Sequence, residues 1–264
     1  MSEDFRVSVS KTKTFNQCRK QYEFNYILKF PKKEREYHVL GKFCHKVLEV
    51  FHQRYQEGCT LPYNKIMGEA WKEAWTEFKE KMTPAMKKEC WDLVNKYLKM
   101  VSLITPTNIN GMPANVIGVE KRFEIPVGDN IILNGAIDRI QMDDDDVIHV
   151  CDYKTTKNKK YLKNDWFQLL AYAYVILTED PSIKKVRGSY ILLRHDFEYI
   201  TTEFSLKQIK EVEKQILEYV EQMRSETEFK PTPSALCSYC DFLEHCPAGK
   251  SKAYNQQVYG EVAY

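Results

Sequence analysis

Asp138, Asp152 and Lys154 are the residues of this chain best placed to do chemistry. They fall in two short runs, Gly135-Ala136-Ile137-Asp138-Arg139 and Asp152-Tyr153-Lys154. Two carboxylates and a lysine at that spacing suit hydrolysis of a phosphodiester assisted by Mg²⁺ or Mn²⁺. Close like charges repel unless a cation lies between them, and these hard cations take oxygen ligands while leaving room for water and phosphate. Lys154 would orient the attacking water or neutralise the charge that develops. A second set is made of thiols. Cys18 stands alone near the start, whereas Cys237, Cys240 and Cys246 form C-x2-C-x5-C followed by Pro247. Four thiolates drawn from both ends of the chain would clasp the N-terminal helix to the C-terminal segment around a metal ion or an iron–sulfur cluster.

Strands must position the carboxylates. Residues i and i+2 of a strand face one side, so Asp152 and Lys154 point together, beside Ile148 and Val150. Residues 131–141 and 147–153 read as strands joined by an acidic turn, after a first strand over 116–127. A five-residue loop over 142–146 sets Asp138 opposite Val150, on the face of Asp152. Residues 185–193 and 197–204 form a further hairpin. Helices are expected over 8–28, 41–55, 62–81, 84–104, 162–177 and 206–224, two of them opened by proline. His45, Glu49 and His52 share one face of the second helix, with His52 read as structural. Gln168 and Tyr172 share a face of the helix over 162–177, about 120° from the stripe Trp166, Leu169, Leu170, Ala173 and Leu177.

The bulk numbers bound the partners. A chain of 264 residues, 43% hydrophobic, holds a core and is not globally disordered. A net charge of +2 excludes a bulk polycation, so a nucleic-acid surface has to come from local patches. One patch is the lysine run over 153–164, which contains no acid. Another is Lys11, Lys13, Arg19, Lys20, Lys32, Lys33 and Arg35. Eight cysteines without an export signal or a membrane-spanning run point to a reducing cytoplasm, where clustered thiols bind metal. Cys44, Cys59, Cys90 and Cys151 read as small buried hydrophobes. Residues 143–146 read as a polar turn. No G-x-x-x-x-G-K-[ST] run is present, so ATP-driven unwinding is not expected.

Five motifs in order carry a family resemblance. They are Gly41-Lys42-Phe43-Cys44-His45, residues 135–139, Asp152-Tyr153-Lys154-Thr155, Gln168-Leu169-Leu170-Ala171-Tyr172, and Cys18 with the C-terminal cysteines. The chain resembles the RecB-like branch of the PD-(D/E)XK nucleases. Within it, the likeness is to the iron–sulfur members: the CRISPR-associated RecB-like exonucleases and the AddB-type nuclease domains. The resemblance implies an α/β fold with a restriction-endonuclease-like core, a central mixed sheet flanked by helices. To this it adds an N-terminal helical region and an iron–sulfur clasp. It implies a single domain over 1–249, with a helical insertion at about 60–105, a nuclease core at about 115–204 and a flexible tail over 250–264.

By the same likeness, His45, Asp138, Asp152 and the Tyr153 carbonyl would hold Mg²⁺ or Mn²⁺, and Lys154 would be the catalytic lysine. Gln168 and Tyr172 would contact the DNA backbone, and Glu120 matches a frequent family acid. Cys18, Cys237, Cys240 and Cys246 would hold a [4Fe–4S] cluster, in preference to the zinc that the thiols alone leave open. The activity implied is a DNA exonuclease acting on single-stranded ends, with endonuclease action left open, in repair, recombination or viral DNA processing. Candidate partners are a CRISPR integrase or recombination proteins, with oligomerisation left open. The rival readings are a CRISPR adaptation factor that trims new spacers and a non-catalytic DNA-binding subunit built around the cluster.

Overall fold

The computed structural model describes residues 4–57, 59–104, 115–143, 147–162 and 165–249. The expected tail over 250–264, Lys163 and residues 144–146 lie outside them. The chain divides into two compact units, one of Met1–Lys33, Pro126–Asn134 and Lys214–Tyr264, the other of Glu34–Ile125 and Gly135–Glu213. No helix among the described residues is long and apolar enough to cross a membrane.

The second unit holds the sheet expected from the strand periodicities. β2 (Asn115–Pro126) pairs with β3 (Ile131–Met142), and the order continues through β4 (Ile148–Lys154), β5 (Val186–Leu192) and β6 (Glu198–Phe204). The β3–β4 and β5–β6 pairs are antiparallel, and β4–β5 is parallel, so the sheet is mixed. Parallel neighbours need a crossover, supplied here by helix α6 (Phe167–Glu179). The register corrects one expectation. Ile140 pairs with Val150 and Met142 with Ile148, so the five-residue loop is 143–147 rather than 142–146. The bond from Asp143 N–H to the Val147 carbonyl (3.0 Å) closes the ladder one pair later. One step beyond the paired residues, Asp138 therefore faces Asp152 and not Val150.

Helices cover both faces, which is why β4 is buried along its length but for Lys154. Cys151, Tyr153 and Ile191 pack into one core with α3 (Glu36–Gln56), α4 (Tyr63–Phe78) and α5 (Pro84–Ile104). The other face meets α6, where a Cβ on Gly188 would come within 3.1 Å of Leu169. Helix α3 starts at Glu36, ahead of the expected 41, because Arg35 is still extended (φ −105°, ψ 145°). α6 starts later than expected, after a 3₁₀ turn at Lys159–Leu162. Its buried side runs Leu169, Tyr172, Ala173 and Ile176. Tyr172 thus belongs to the packed face and not to one turned away from it, since the sheet covers more of the helix than a single stripe.

In the first unit, β1 (Phe5–Val7) pairs in parallel with the start of β3, Phe5 opposite Ile131. Three residues are too short a run to show periodicity, and the strand was not expected. The helix expected over 8–28 is interrupted. α1 (Val9–Gln17) begins at Ser8, whose hydroxyl accepts the Lys11 N–H at 3.2 Å. Cys18 then goes extended (φ −162°, ψ 114°) before α2 (Arg19–Tyr22) and a π-turn at Glu23–Ile27. Phe15, Tyr22 and Met223 form the core here, the last from α7 (Leu206–Ser225).

Candidate active site

Asp138 is gripped from two elements. The Tyr153 backbone N–H donates to its Oδ2 at 2.7 Å, and His45 Nδ1 lies 3.4 Å from the same oxygen. His45 reaches it from α3 because that helix comes close to the end of β4. A Cβ on Gly41, one turn earlier, would stand 3.1 Å from Thr155 Oγ1, so a side chain there would press the helix away from the strand. Burial lowers the pKa of His45, which favours the neutral imidazole that binds metals.

Asp152, buried on β4, is held from α6. Gln168 Nε2 donates to its Oδ1 at 2.6 Å and to the Tyr172 hydroxyl at 2.8 Å, and that hydroxyl lies 3.4 Å from the same oxygen. The Lys154 ammonium is 2.5 Å from Asp152 Oδ2 and donates to Gln168 Oε1 at 3.1 Å. All the site residues expected from the sequence in this unit therefore form one connected group. Gln168 and Tyr172 enter it through Asp152 and Lys154.

Glu120 completes the group. Its carboxylate, a His45 nitrogen and an Asp138 oxygen lie within 4.8 Å of one another. The residue has φ +44°, a left-handed backbone that a glutamate seldom adopts inside a strand. The burial phase of β2 inverts across it, with Ile117 exposed and Phe123 and Ile125 buried. Strict alternation would align Glu120 with the exposed Arg122 and Glu124; the local twist turns it inward. No spacing rule reveals that twist, and only the family likeness drew attention to this acid.

The charges are arranged as at a site awaiting a cation. Burial, then the neighbouring Asp152 charge, pushes the Asp138 carboxyl well above the carboxylate range, against the pull of the Tyr153 N–H and Lys154. Burial, then Asp138 and Glu49, pushes Glu120 up to about 7. A hard divalent ion bound by the two carboxylates and the imidazole relieves that repulsion. The three residues line an open cleft of about 560 Å³ with Tyr37, Lys42 and Thr155.

Three other groups of residues lie apart from this site. Asp143 is taken up by Gln141, His149 and Arg187 and is a structural acid. His52 is buried with its Nε2 2.6 Å from the Tyr97 hydroxyl. Cys44, Cys90 and Cys151 are fully buried, while Cys59 is half-buried.

The four remaining thiols, all in the first unit, line one pocket: Cys18, Cys237, Cys240 and Cys246. The extended break at Cys18 turns its sulfur to the Thr232 N–H (3.4 Å), and the 3₁₀ turn Ala235–Tyr239 lets Cys237 Sγ accept the Ser234 N–H (3.4 Å). Burial, and more weakly the three other cysteines, raises the Cys240 thiol. Among the described residues no three of these sulfurs lie within 4.8 Å of one another.

The model of the PD-(D/E)XK nuclease superfamily matches residues 6–247. No curated protein matches the sequence. Among solved structures, a protein named "Putative exonuclease" from Eubacterium rectale is similar at 11% identity and a TM-score of 0.52, over 89% of this chain and 86% of that one. The crystal structure of SSO0001 aligns at 16% identity and a TM-score of 0.41, over 95% and 90%.

Proposed function

This chain belongs to the PD-(D/E)XK nuclease superfamily, and from that premise we propose that it is a Mg²⁺- or Mn²⁺-dependent exonuclease acting on single-stranded DNA ends. Membership makes it a hydrolytic nuclease with DNA as its substrate. The metal dependence rests on one observation, the convergence of His45, Glu120 and Asp138 donor atoms within 4.8 Å, next to Asp152 and Lys154. His45, Glu120, Asp138 and Asp152 hold the ion, with the Tyr153 backbone beside them. When bound, the ion supplies Lewis acidity toward water and the scissile phosphate. Lys154, fixed between Asp152 and Gln168, orients the attacking water and offsets the charge that grows on the phosphate. Tyr172 is too enclosed to reach a polymer and acts by holding Asp152, whereas half-buried Gln168 is the one of the pair that meets the DNA backbone.

In the first unit, Cys18, Cys237, Cys240 and Cys246 hold a [4Fe–4S] cluster. The reading rests on all four sulfurs lining one pocket and on the backbone N–H bonds that Cys18 and Cys237 accept at 3.4 Å, of the kind that stabilise metal-bound thiolates. The cluster's chemistry is structural, tying distant parts of the chain together.

The test uses linear single strands labelled at the 5′ or the 3′ end, and a circular strand, with Mg²⁺ or Mn²⁺. Loss of linear strands by the wild type but not by Lys154→Ala, with circles spared, is the expected result and gives the polarity. Cut circles would turn the reading to an endonuclease. An intact set of substrates after incubation with well-folded, metal-loaded wild type would overturn the catalytic reading.

A further inference from the structure

Thr155 connects two clefts. It lines the one that holds His45, Glu120 and Asp138, and its carbonyl accepts a bond from Arg194 Nη1 at 2.5 Å. Arg194 in turn lines a second cleft, of about 540 Å³, together with Lys88, Lys96, Lys157 and His195. Glu89 and Asp92 are the carboxylates on its wall; Glu89 pairs with Arg194 at 2.6 Å, which leaves the three lysines in excess over Asp92.

Three features of this second cleft bear on what it can bind. Asp196 and Phe197, next to His195 in the turn between β5 and β6, have φ of +52° and +58°. Left-handed backbone at non-glycine residues costs on the order of 1–3 kcal/mol each, and at a phenylalanine it is rare. The strain is held in place by Phe197, which is buried with its ring 5.0 Å from that of Tyr97. What the turn presents is Arg194 and His195. His195 Nε2 is enclosed yet has no hydrogen-bond partner among the described residues. Lys157, three residues past Lys154, is exposed and makes no ion pair among them. The other two lysines have only exposed partners, Lys88 with Asp92 at 3.0 Å and Lys96 with Asp196 at 2.7 Å. Such pairs contribute little and give way to a stronger anion.

We propose that this second cleft is a backbone-binding subsite for single-stranded nucleic acid, holding the phosphates of the strand that continues past the cutting site over Thr155. This rests on the nuclease reading above. The chemistry recognised is a string of phosphodiesters: the lysines meet the charge and His195 offers a hydrogen bond, while Arg194, held by Glu89 (2.6 Å) and the Thr155 carbonyl, fixes the turn beside them. Bases are not read there. The strained turn between β5 and β6 stands beside the end of β4, where the Leu193 N–H donates to the Lys154 carbonyl at 2.9 Å.

The experiment measures binding of a fluorescein-labelled oligothymidine strand in EDTA across a salt series, so that it needs no turnover. Wild type is compared with Lys96→Gln/Lys157→Gln and with a control of equal charge loss at exposed positions elsewhere in the unit, Lys72→Gln/Lys79→Gln. Each phosphate contact on a single strand contributes about 0.7 to the slope of log affinity against log salt. The first double variant should therefore lose about 1.4 from the slope, while the control keeps the wild-type slope. His195→Ala should weaken binding. Equal slopes in wild type and both double variants would overturn the subsite, and so would equal losses in both. Cleavage by wild type is followed in parallel with Mn²⁺: a lowered slope without any cleavage leaves the subsite standing and removes the nuclease reading, and cleavage with an unchanged slope does the reverse.

Discussion

The backbone N–H of Tyr153 donates to Asp138 Oδ2 at 2.7 Å, so β4 itself holds the carboxylate that β3 presents. The bond engages one oxygen of Asp138, and on the proposed reading the carboxylate is a metal ligand. Asp138→Asn can keep the bond through its amide oxygen but loses the charge. The expected variant folds like wild type and binds Mn²⁺ at least about 100-fold more weakly, since even residues one layer removed from a metal change affinity by about 10–100-fold. Calorimetric titration with Mn²⁺ checks this, and wild-type affinity in the variant would remove Asp138 from the ligand set.

Glu120 and Asp138 make the metal-free protein pH-sensitive in a defined direction. Both are raised in the folded state, Glu120 to about 7 from an ordinary 4.5. A raised carboxyl binds its proton more tightly when folded, so its stabilising contribution is complete below the unfolded pKa and is lost as pH climbs through the folded one. In EDTA the melting temperature should fall between about pH 4.5 and 7. Mn²⁺ replaces the protons, so the rise in melting temperature that it gives should be larger at high pH than at low pH. Glu120→Gln should flatten both trends. Scanning fluorimetry over pH, with and without Mn²⁺, reads all three; a metal effect independent of pH would count against a carboxylate site.

Arg139, next to Asp138 in sequence, faces the other way into the core and is fully enclosed. Its Nη1 donates to the hydroxyls of Tyr97 (3.1 Å) and Tyr153 (3.2 Å), and Nη2 to Tyr199 (2.8 Å). Among the described residues no carboxylate pairs with it. The guanidinium binds three phenols while its Nε has no partner among the described residues, and removing the cation takes away the donor that joins them. Arg139→Ala should destabilise, by about 1–3 kcal/mol for each buried polar group left without a partner. Arg139→Met, which keeps much of the volume, should cost less. Urea midpoints compare the two, and near-wild-type stability in Arg139→Ala would show the network to be dispensable.

Legibility in the sequence followed the range of each signal. Period-two alternation over 131–142 and 148–154 is a local property, and so the strands and the shared face of Asp152 and Lys154 could be read directly. The register was read one pair short because the length of the ladder depends on where Asp143 and Val147 close it, which no propensity encodes. Glu120 was hidden by a positive φ that inverts a strand's phase, and Arg139 by its charge, since a buried arginine contradicts the rule that charges lie outside. The interruption at Cys18 was hidden for a different reason. Residues 8–28 contain neither glycine nor proline, so no breaker marks the position, and only the extended backbone at Cys18 shows where the helix is interrupted.

That break carries the last prediction. Cys18 keeps its bonds to Thr14 and Tyr22 (3.0 Å each) while its backbone is extended, and on the proposed reading a ligand to its sulfur compensates the break. If a cluster is the compensation, protein purified without oxygen should be brown and contain iron and acid-labile sulfide, and Cys18→Ala should lose both. The same variant should also regain helix, seen as a small gain in helical circular dichroism, because nothing then holds residue 18 extended. Cys246→Ala removes a ligand from the other segment and should lose the iron and lower the folded yield without that helical gain, for Cys18 keeps the Thr232 N–H as a partner at 3.4 Å. Removal of the cluster should affect folding more than the chemistry at Lys154. A colourless wild type carrying one zinc per chain, with the cysteine variants failing to bind it, would replace the cluster by a single ion. Folded, fully stable and metal-free cysteine variants would make the thiols incidental to the fold.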